Sequence, residues 1–203
     1  MKIDNKKVSY ILGRSIGEDF RRQGFEIDAA EFTEAMVEAL NQVESKMSMA
    51  EMQQIMTSLR QHHAEKQKAE MDKQAVTNVE DGKKFLEENK TKDGVFETES
   101  GLQYRIIEEG KGDSPSATST VTTNYEGKTL DGQIFDSSYE RGTPASFPVN
   151  GVIQGWQEAL PLMKKEAIWE LFIPSDLAYG AAGSPPKIGP HSVLIFKIEL
   201  ISF

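Results

Sequence analysis

Few side chains in this sequence are equipped to make or break a covalent bond. Its 203 residues include no cysteine, which removes thiol nucleophiles, disulfides and Cys-based metal sites. No G-x-S-x-G, G-x-x-x-x-G-K-[ST] or H-E-x-x-H run occurs, so a nucleophile elbow, a phosphate cradle and a zinc-protease helix are all missing. The histidines are His62, His63 and His191. The first two are adjacent and point to different faces of any helix, which favours solvated surface over a metal pair. No metal and no cofactor is expected. What remains is a set of aromatic and apolar residues grouped near turns in the second half, Trp156 and Phe196 among them. Such residues enclose an apolar ligand or simply pack as core, and residue type alone leaves both readings open.

The elements that carry them divide the chain in two. All eight prolines lie between Pro115 and Pro190, whereas the 57 residues from Phe25 to Asp81 contain neither glycine nor proline. That stretch is rich in Ala, Glu, Gln, Lys and Met, all good helix formers. Asp28-Ala29-Ala30-Glu31 and Ser48-Met49-Ala50-Glu51 fit capping boxes, with Ile27/Phe32 and Met47/Met52 placed as hydrophobic staples. An earlier helix over about 4–22 has Val8, Ile11, Leu12, Ile16 and Phe20 at helical spacing. The third helix meets no stop signal between Ser48 and Asn89 except Gly82, and implies a rod of about 60 Å at 1.5 Å per residue. From Arg60 to Gln74 only Ala64, Ala69 and Met71 are apolar; a helix polar all round bridges solvent rather than packing, so this part reads as a spacer. After Lys92-Asp93-Gly94 strand patterns take over at 102–107, 121–125, 167–173 and 193–201, with a hairpin signal at Asp131-Gly132 and one short helix over 156–162. The expected fold class is α+β: residues 1–47 a helical domain, 48–93 a long linking helix and 94–203 an antiparallel sheet domain.

The net charge of −9 argues against nucleic acid, whose phosphates call for a basic face. No run approaches the length of a membrane span or of a signal peptide, so the sequence reads as cytoplasmic, or as periplasmic with a signal already removed.

Five runs then carry a family resemblance: Asn124-Tyr125-Glu126-Gly127, Asp131 to Ser138, Val152-Ile153-Gln154-Gly155-Trp156, Ile173 to Gly180, and Leu194 to Leu200. Their order and spacing over about 100–203 resemble the FKBP-type peptidyl-prolyl cis/trans isomerases. The helical first half resembles the macrophage infectivity potentiator subgroup, whose members form homodimers through it. The resemblance implies a half-wrapped sheet with a short helix on its concave side. It also implies a proline-binding pocket. Tyr125, Phe135, Asp136, Trp156, Tyr179 and Phe196 match its catalytic positions, and Arg141, Phe147, Val152, Ile153 and Ile188 its substrate-binding positions. Trp156 would be the floor, and the Tyr179 hydroxyl and Ile153 N–H the donors to substrate. Ala145, Leu177, Ser184 and Lys187 depart from the pattern, standing where the best-known members carry Phe, Tyr, His and Ile.

No nucleophile is needed for the implied reaction. Twisting an amide costs about 18–20 kcal/mol because resonance is lost, and an apolar wall that prefers the less polar twisted amide lowers that barrier. Each factor of ten takes about 1.4 kcal/mol. Implied partners are proline-containing polypeptides, rapamycin-like macrolides and a second copy of the chain. The alternative is a chaperone-like protein that holds unfolded clients in a dimeric helical cleft, its motive being the methionines at 36, 47, 49, 52 and 56. Asp136 could orient substrate or pair with Arg141, and a mixed role is expected, held by the Arg while presenting charge near the twisting carbonyl.

Overall fold

The computed structural model describes residues 3–203. The chain divides into two compact units, Met1–Gln61 and His62–Phe203.

In the first unit, α1 (Asn5–Gln23) starts where the Asp4 carboxylate accepts the Lys6 and Lys7 N–H groups and stops at Gly24, which is left-handed at φ 73°. The helix α2 (Ala29–Leu40) is capped by Asp28 in the same way; such caps contribute about 1 kcal/mol each. The expected capping box at Ser48 is complete: Ser48 N–H donates to the Glu51 carboxylate at 2.9 Å, and Glu51 N–H donates to Ser48 Oγ at 3.3 Å. Phe20 holds the hairpin of helices together, its ring edge-on to Phe25 at 6.0 Å and to Phe32 at 5.4 Å. Neither α1 nor α2 contains a buried residue. Tyr10, Ile11, Leu12, Val37 and Leu40 are all more than half exposed.

The helix α3 (Met49–Asn89) passes through Gly82 without a break. Gly82 is there for contact rather than bending. It is buried, and a Cβ added to it would lie 2.8 Å from Val193 Cγ2. Within the second unit, Gln74, Asn78, Gly82, Phe85, Leu86 and Asn89 face the sheet domain. Asn78 Nδ2 donates to the Pro190 carbonyl at 2.7 Å and to Ser192 Oγ at 3.3 Å. Phe85 meets Phe172 at 5.8 Å. Asn89 and Gln103 are fully buried polar residues joined at 3.0 Å, and Gln103 Nε2 also donates to the Leu86 carbonyl and to Glu97, which satisfies groups that would otherwise be costly to bury. From Gln74 onward α3 is therefore part of the domain's wall, which the polar appearance of the helix did not announce.

Among the described residues seven strands form one antiparallel sheet: β1 (Val95–Glu97), β2 (Gln103–Glu108), β3 (Thr120–Thr129), β4 (Ile134–Ser137), β5 (Ala145–Pro148), β6 (Ile168–Ile173) and β7 (Leu194–Ser202). The order is β1-β2-β6-β7-β3-β4, with β5 also pairing β3. The four expected strand patterns fall on β2, β3, β6 and β7, and the Asp131-Gly132 turn joins β3 to β4. Strands β1, β4 and β5 are three or four residues long and give too little alternation to be read. Along β3, Val121, Thr123, Tyr125 and Gly127 are buried, alternating with half-exposed neighbours, as one covered face requires. The same face of β7 presents Leu194, Phe196, Ile198 and Leu200. Against it lies α5 (Gln154–Ala159), continued by a 3-10 turn at Leu160–Leu162, at the expected place for the short helix. Trp156, Ala159, Leu160 and Met163 close the core.

Candidate active site

The site starts from three cross-strand facts. Gly127 on β3 stands opposite both Phe196 on β7 and Asp136 on β4. Having no side chain, Gly127 leaves room for two rings, and Phe135 and Phe196 fill it edge to face at 5.4 Å. Two residues earlier on the same face, Tyr125 meets Trp156 of α5 at 5.3 Å.

Trp156 is the hub. Its indole receives Tyr125, Phe147 and Phe196 at 5.3, 6.0 and 5.3 Å, all within ten degrees of perpendicular; edge-to-face pairs of this kind contribute about 0.5–1.5 kcal/mol beyond area burial. Its Nε1–H has no acceptor among the described residues. These rings, with Val152, Ile153, Ile188 and Tyr179, enclose a cavity of about 780 Å³, within the range of small-ligand sites. Trp156, Tyr125, Phe196, Phe135 and Ile188 are buried, whereas Tyr179 at the mouth is 41% exposed.

Beside the rings sits a closed polar triangle, two members of which, Tyr125 and Asp136, line the cavity. Tyr125 Oη donates to Asp136 Oδ2 at 2.6 Å, Arg141 Nη2 donates to Tyr125 Oη at 2.8 Å, and Arg141 Nη1 donates to Asp136 Oδ1. The guanidinium also lies over the Tyr125 ring, 5.5 Å from its centroid. A four-residue helix, α4 (Ser138–Arg141), delivers Arg141; Ser137 caps its start and Gly142 ends it in the left-handed region.

Burial pushes the Asp136 carboxyl up, but the Tyr125 hydroxyl and Arg141 outweigh it and hold the group below the usual carboxylate range. Burial, then Asp136, pushes the Tyr125 phenol up, so it remains a neutral donor. A carboxyl depressed below its unfolded value of about 3.9 contributes fully above that pH and loses its contribution as pH falls through the lower folded value. Turnover is expected to be level from neutral pH down to about 5 as far as this triangle governs it, and to fall only below about pH 4. A pH profile of kcat/KM checks this; an inflection between about pH 5 and 7 that disappears in Asp136→Asn would count against it.

Ten of the eleven residues picked out from the sequence line this cavity: Tyr125, Phe135, Asp136, Phe147, Val152, Ile153, Trp156, Tyr179, Ile188 and Phe196. Arg141 does not; it holds Tyr125 and Asp136 through hydrogen bonds to both. Gly151, Ala178, Pro185 and Pro186 also line it, and nothing in their residue types marked them. Of the four departures from the family pattern, Ser184 and Lys187 are on the cavity wall, while Ala145 and Leu177 pack against the core.

Residues 111–201 match the family described as FKBP-type peptidyl-prolyl cis-trans isomerase, and residues 5–106 match the domain amino terminal to it. The peptidyl-prolyl cis-trans isomerase Mip of Coxiella burnetii is 43% identical over 202 residues, covering 100% of this chain and 88% of that protein. This chain belongs to the FKBP-type peptidyl-prolyl cis-trans isomerases. Another relative, the FKBP-type 22 kDa peptidyl-prolyl cis-trans isomerase of Escherichia coli, is 42% identical, over 96% of this chain and 93% of its own length. The crystal structure of FkpA from Escherichia coli superposes with a TM-score of 0.72 at 36% identity, covering 100% of this chain and 97% of that one. The α+β architecture and the isomerase reading from the sequence both stand. As an FKBP-type isomerase the protein acts on X-Pro bonds of polypeptides. The cytoplasmic expectation finds no support: the Legionella longbeachae relative, 40% identical over 98% of this chain and 85% of its own, is named outer membrane protein MIP. Among the described residues no helix is long and apolar enough to cross a membrane.

Proposed function

We propose that the 780 Å³ cavity is where this isomerase turns X-Pro bonds, with the prolyl ring on Trp156 and Tyr125, Phe135, Phe147, Val152, Ile153, Ile188 and Phe196 as walls. The observation that carries this is a perpendicular ring cluster open at one mouth, with Asp136 and Lys187 as the only charged side chains in its lining. Such a wall solvates a twisted amide better than a planar one, and that difference lowers the barrier. Two donors are unspent: among the described residues neither the Tyr179 hydroxyl nor the Ile153 N–H has an intramolecular acceptor, so both are available to substrate carbonyls. Asp136 and Arg141 hold Tyr125 in place and set the field beside the twisting carbonyl. The same cavity takes rapamycin-like macrolides. The test is cis-to-trans exchange of a proline-containing tetrapeptide with and without rapamycin. Acceleration that rapamycin abolishes supports the assignment; acceleration indifferent to rapamycin removes the cavity from it.

The domain roles follow the same reading: 1–47 for dimerisation, 48–93 as the linking helix, packed on the sheet domain from Gln74 onward, and 94–203 for catalysis. Two helices without a single buried residue cannot stay folded through their own packing, and Tyr10, Ile11, Leu12, Val37 and Leu40 supply a face for a second copy. A homodimer uses that face more fully than unfolded clients would, which leaves chain holding as the secondary role. Light scattering is expected to give twice the chain mass at micromolar concentration, and Leu12→Asp with Leu40→Asp to shift it to monomer. A monomeric parent protein would reject the dimer. The relative named as an outer membrane protein favours the cell envelope as the compartment.

A further inference from the structure

Within the cavity wall only two charged side chains occur, Asp136 and Lys187. The first is spent: its two oxygens accept from Arg141 and Tyr125, so the Asp136–Arg141 pair adds no net charge to the mouth. The second is not. Lys187 Nζ donates one hydrogen bond, to the Phe135 carbonyl at 2.7 Å, which pins the ammonium at the edge of the pocket beside β4 and leaves two of its three donors. Among the described residues Lys187 has no carboxylate within ion-pair distance. Asp81 and Asp131 share a smaller cavity of about 150 Å³ with the other side of Lys187. Asp131 there is occupied by the Thr129 hydroxyl and the Gln133 N–H. A chain of net charge −9 thus presents a cation without an ion-pair partner among the described residues on the wall of this aromatic pocket.

Trp156, Tyr125, Phe135 and Phe196 are buried whereas Tyr179 and Ser184 to Lys187 are exposed, so a prolyl ring seated on Trp156 sends its flanking residues out past that exposed side. We infer that Lys187 is a specificity-determining residue that favours substrates with an acidic residue immediately before the proline. This rests on the proposed use of the cavity for X-Pro substrates. The ammonium is pinned rather than freely rotating, so less ordering entropy opposes the contact. Both Lys187 and the flanking residue remain hydrated, so the gain is that of an exposed ion pair, roughly two- to fivefold in kcat/KM, and it falls with salt.

The experiment is cis/trans exchange, followed by NMR on the full-length protein, of acetyl-Ala-Xaa-Pro-Phe-amide with Xaa as Glu, Gln or Lys. Glu and Gln are near-isosteric, so their ratio reads the charge and cancels shape. The expected result is Glu above Gln by about two- to fivefold and Lys below Gln. In Lys187→Met the Glu/Gln ratio is expected to fall to near one, and in Lys187→Glu to invert. Because the ratio is internal to each variant, a general loss of rate in either does not disturb it. A ratio of one in the parent protein, or one that Lys187→Met leaves unchanged, overturns the inference. Failure to accelerate any of the three peptides strikes instead at the isomerase assignment of the cavity.

Discussion

Replacing Trp156 by leucine is expected to cut kcat/KM on a proline tetrapeptide by at least about tenfold while the domain still folds. The indole supplies a flat surface 5.3 Å from the rings of both Tyr125 and Phe196; a branched aliphatic chain fills much of the volume but offers no such floor. Losing about 1.4 kcal/mol of preference for the twisted amide is a factor of ten, and the lost contact area is large enough for that. Alanine is the poorer probe. Trp156 is 4% exposed, and truncating a buried aromatic that far costs about 3–5 kcal/mol of stability, which confuses folding with turnover. Thermal unfolding run beside the exchange assay separates the two. A folded Trp156→Leu protein with unchanged kcat/KM would sink the assignment of the floor.

The second large effect is expected at a residue that has no side chain. In Gly127→Ala the new methyl would lie 2.6 Å from both Phe135 Cζ and Phe196 Cε1, closer than carbon atoms tolerate, and neither ring is the end of a flexible chain. Overpacking of this kind costs about 1–3 kcal/mol. The unfolding temperature is expected to fall by roughly 3–10 °C, with turnover dropping about tenfold as the two rings are driven into the cavity. The check is a second substitution. Phe135→Leu added to Gly127→Ala opens space for the methyl, so the pair should be more stable than the sum of the single changes predicts, because the sites touch. Strict additivity would show that the glycine matters for another reason.

Both residues show what sequence can and cannot disclose. Strand patterns over 121–125 and 193–201 took in Tyr125 and Phe196, and five runs in family register pointed to a pocket around them. The triangle of Tyr125, Asp136 and Arg141 was half legible. The pairing of Asp136 with Arg141 was expected, but not that Arg141 stays out of the cavity lining while bonding both Asp136 and Tyr125. The docking of α3 was not legible at all. Asn78, Gln103 and Asn89 look like solvated polar residues until their partners are known, and Asn78 finds Pro190 and Ser192 more than a hundred positions away. Gly82 looked like a stop signal for the same reason: the atom that requires a glycine there, Val193 Cγ2, is equally remote.

Those contacts also determine where the chain can be cut. A fragment beginning at Gly94 would strip the cover from Val193 and Phe172, leave Gln103 without Asn89 and the Leu86 carbonyl, and remove the Asn78 and Gln74 side chains that back the segment from Gly189 to Ser192. That segment follows directly on Lys187 and Ile188, both of which line the cavity. A piece of this protein that keeps all of these contacts therefore begins upstream of Gln74, inside a helix, where neither a change in composition nor a loop marks the border.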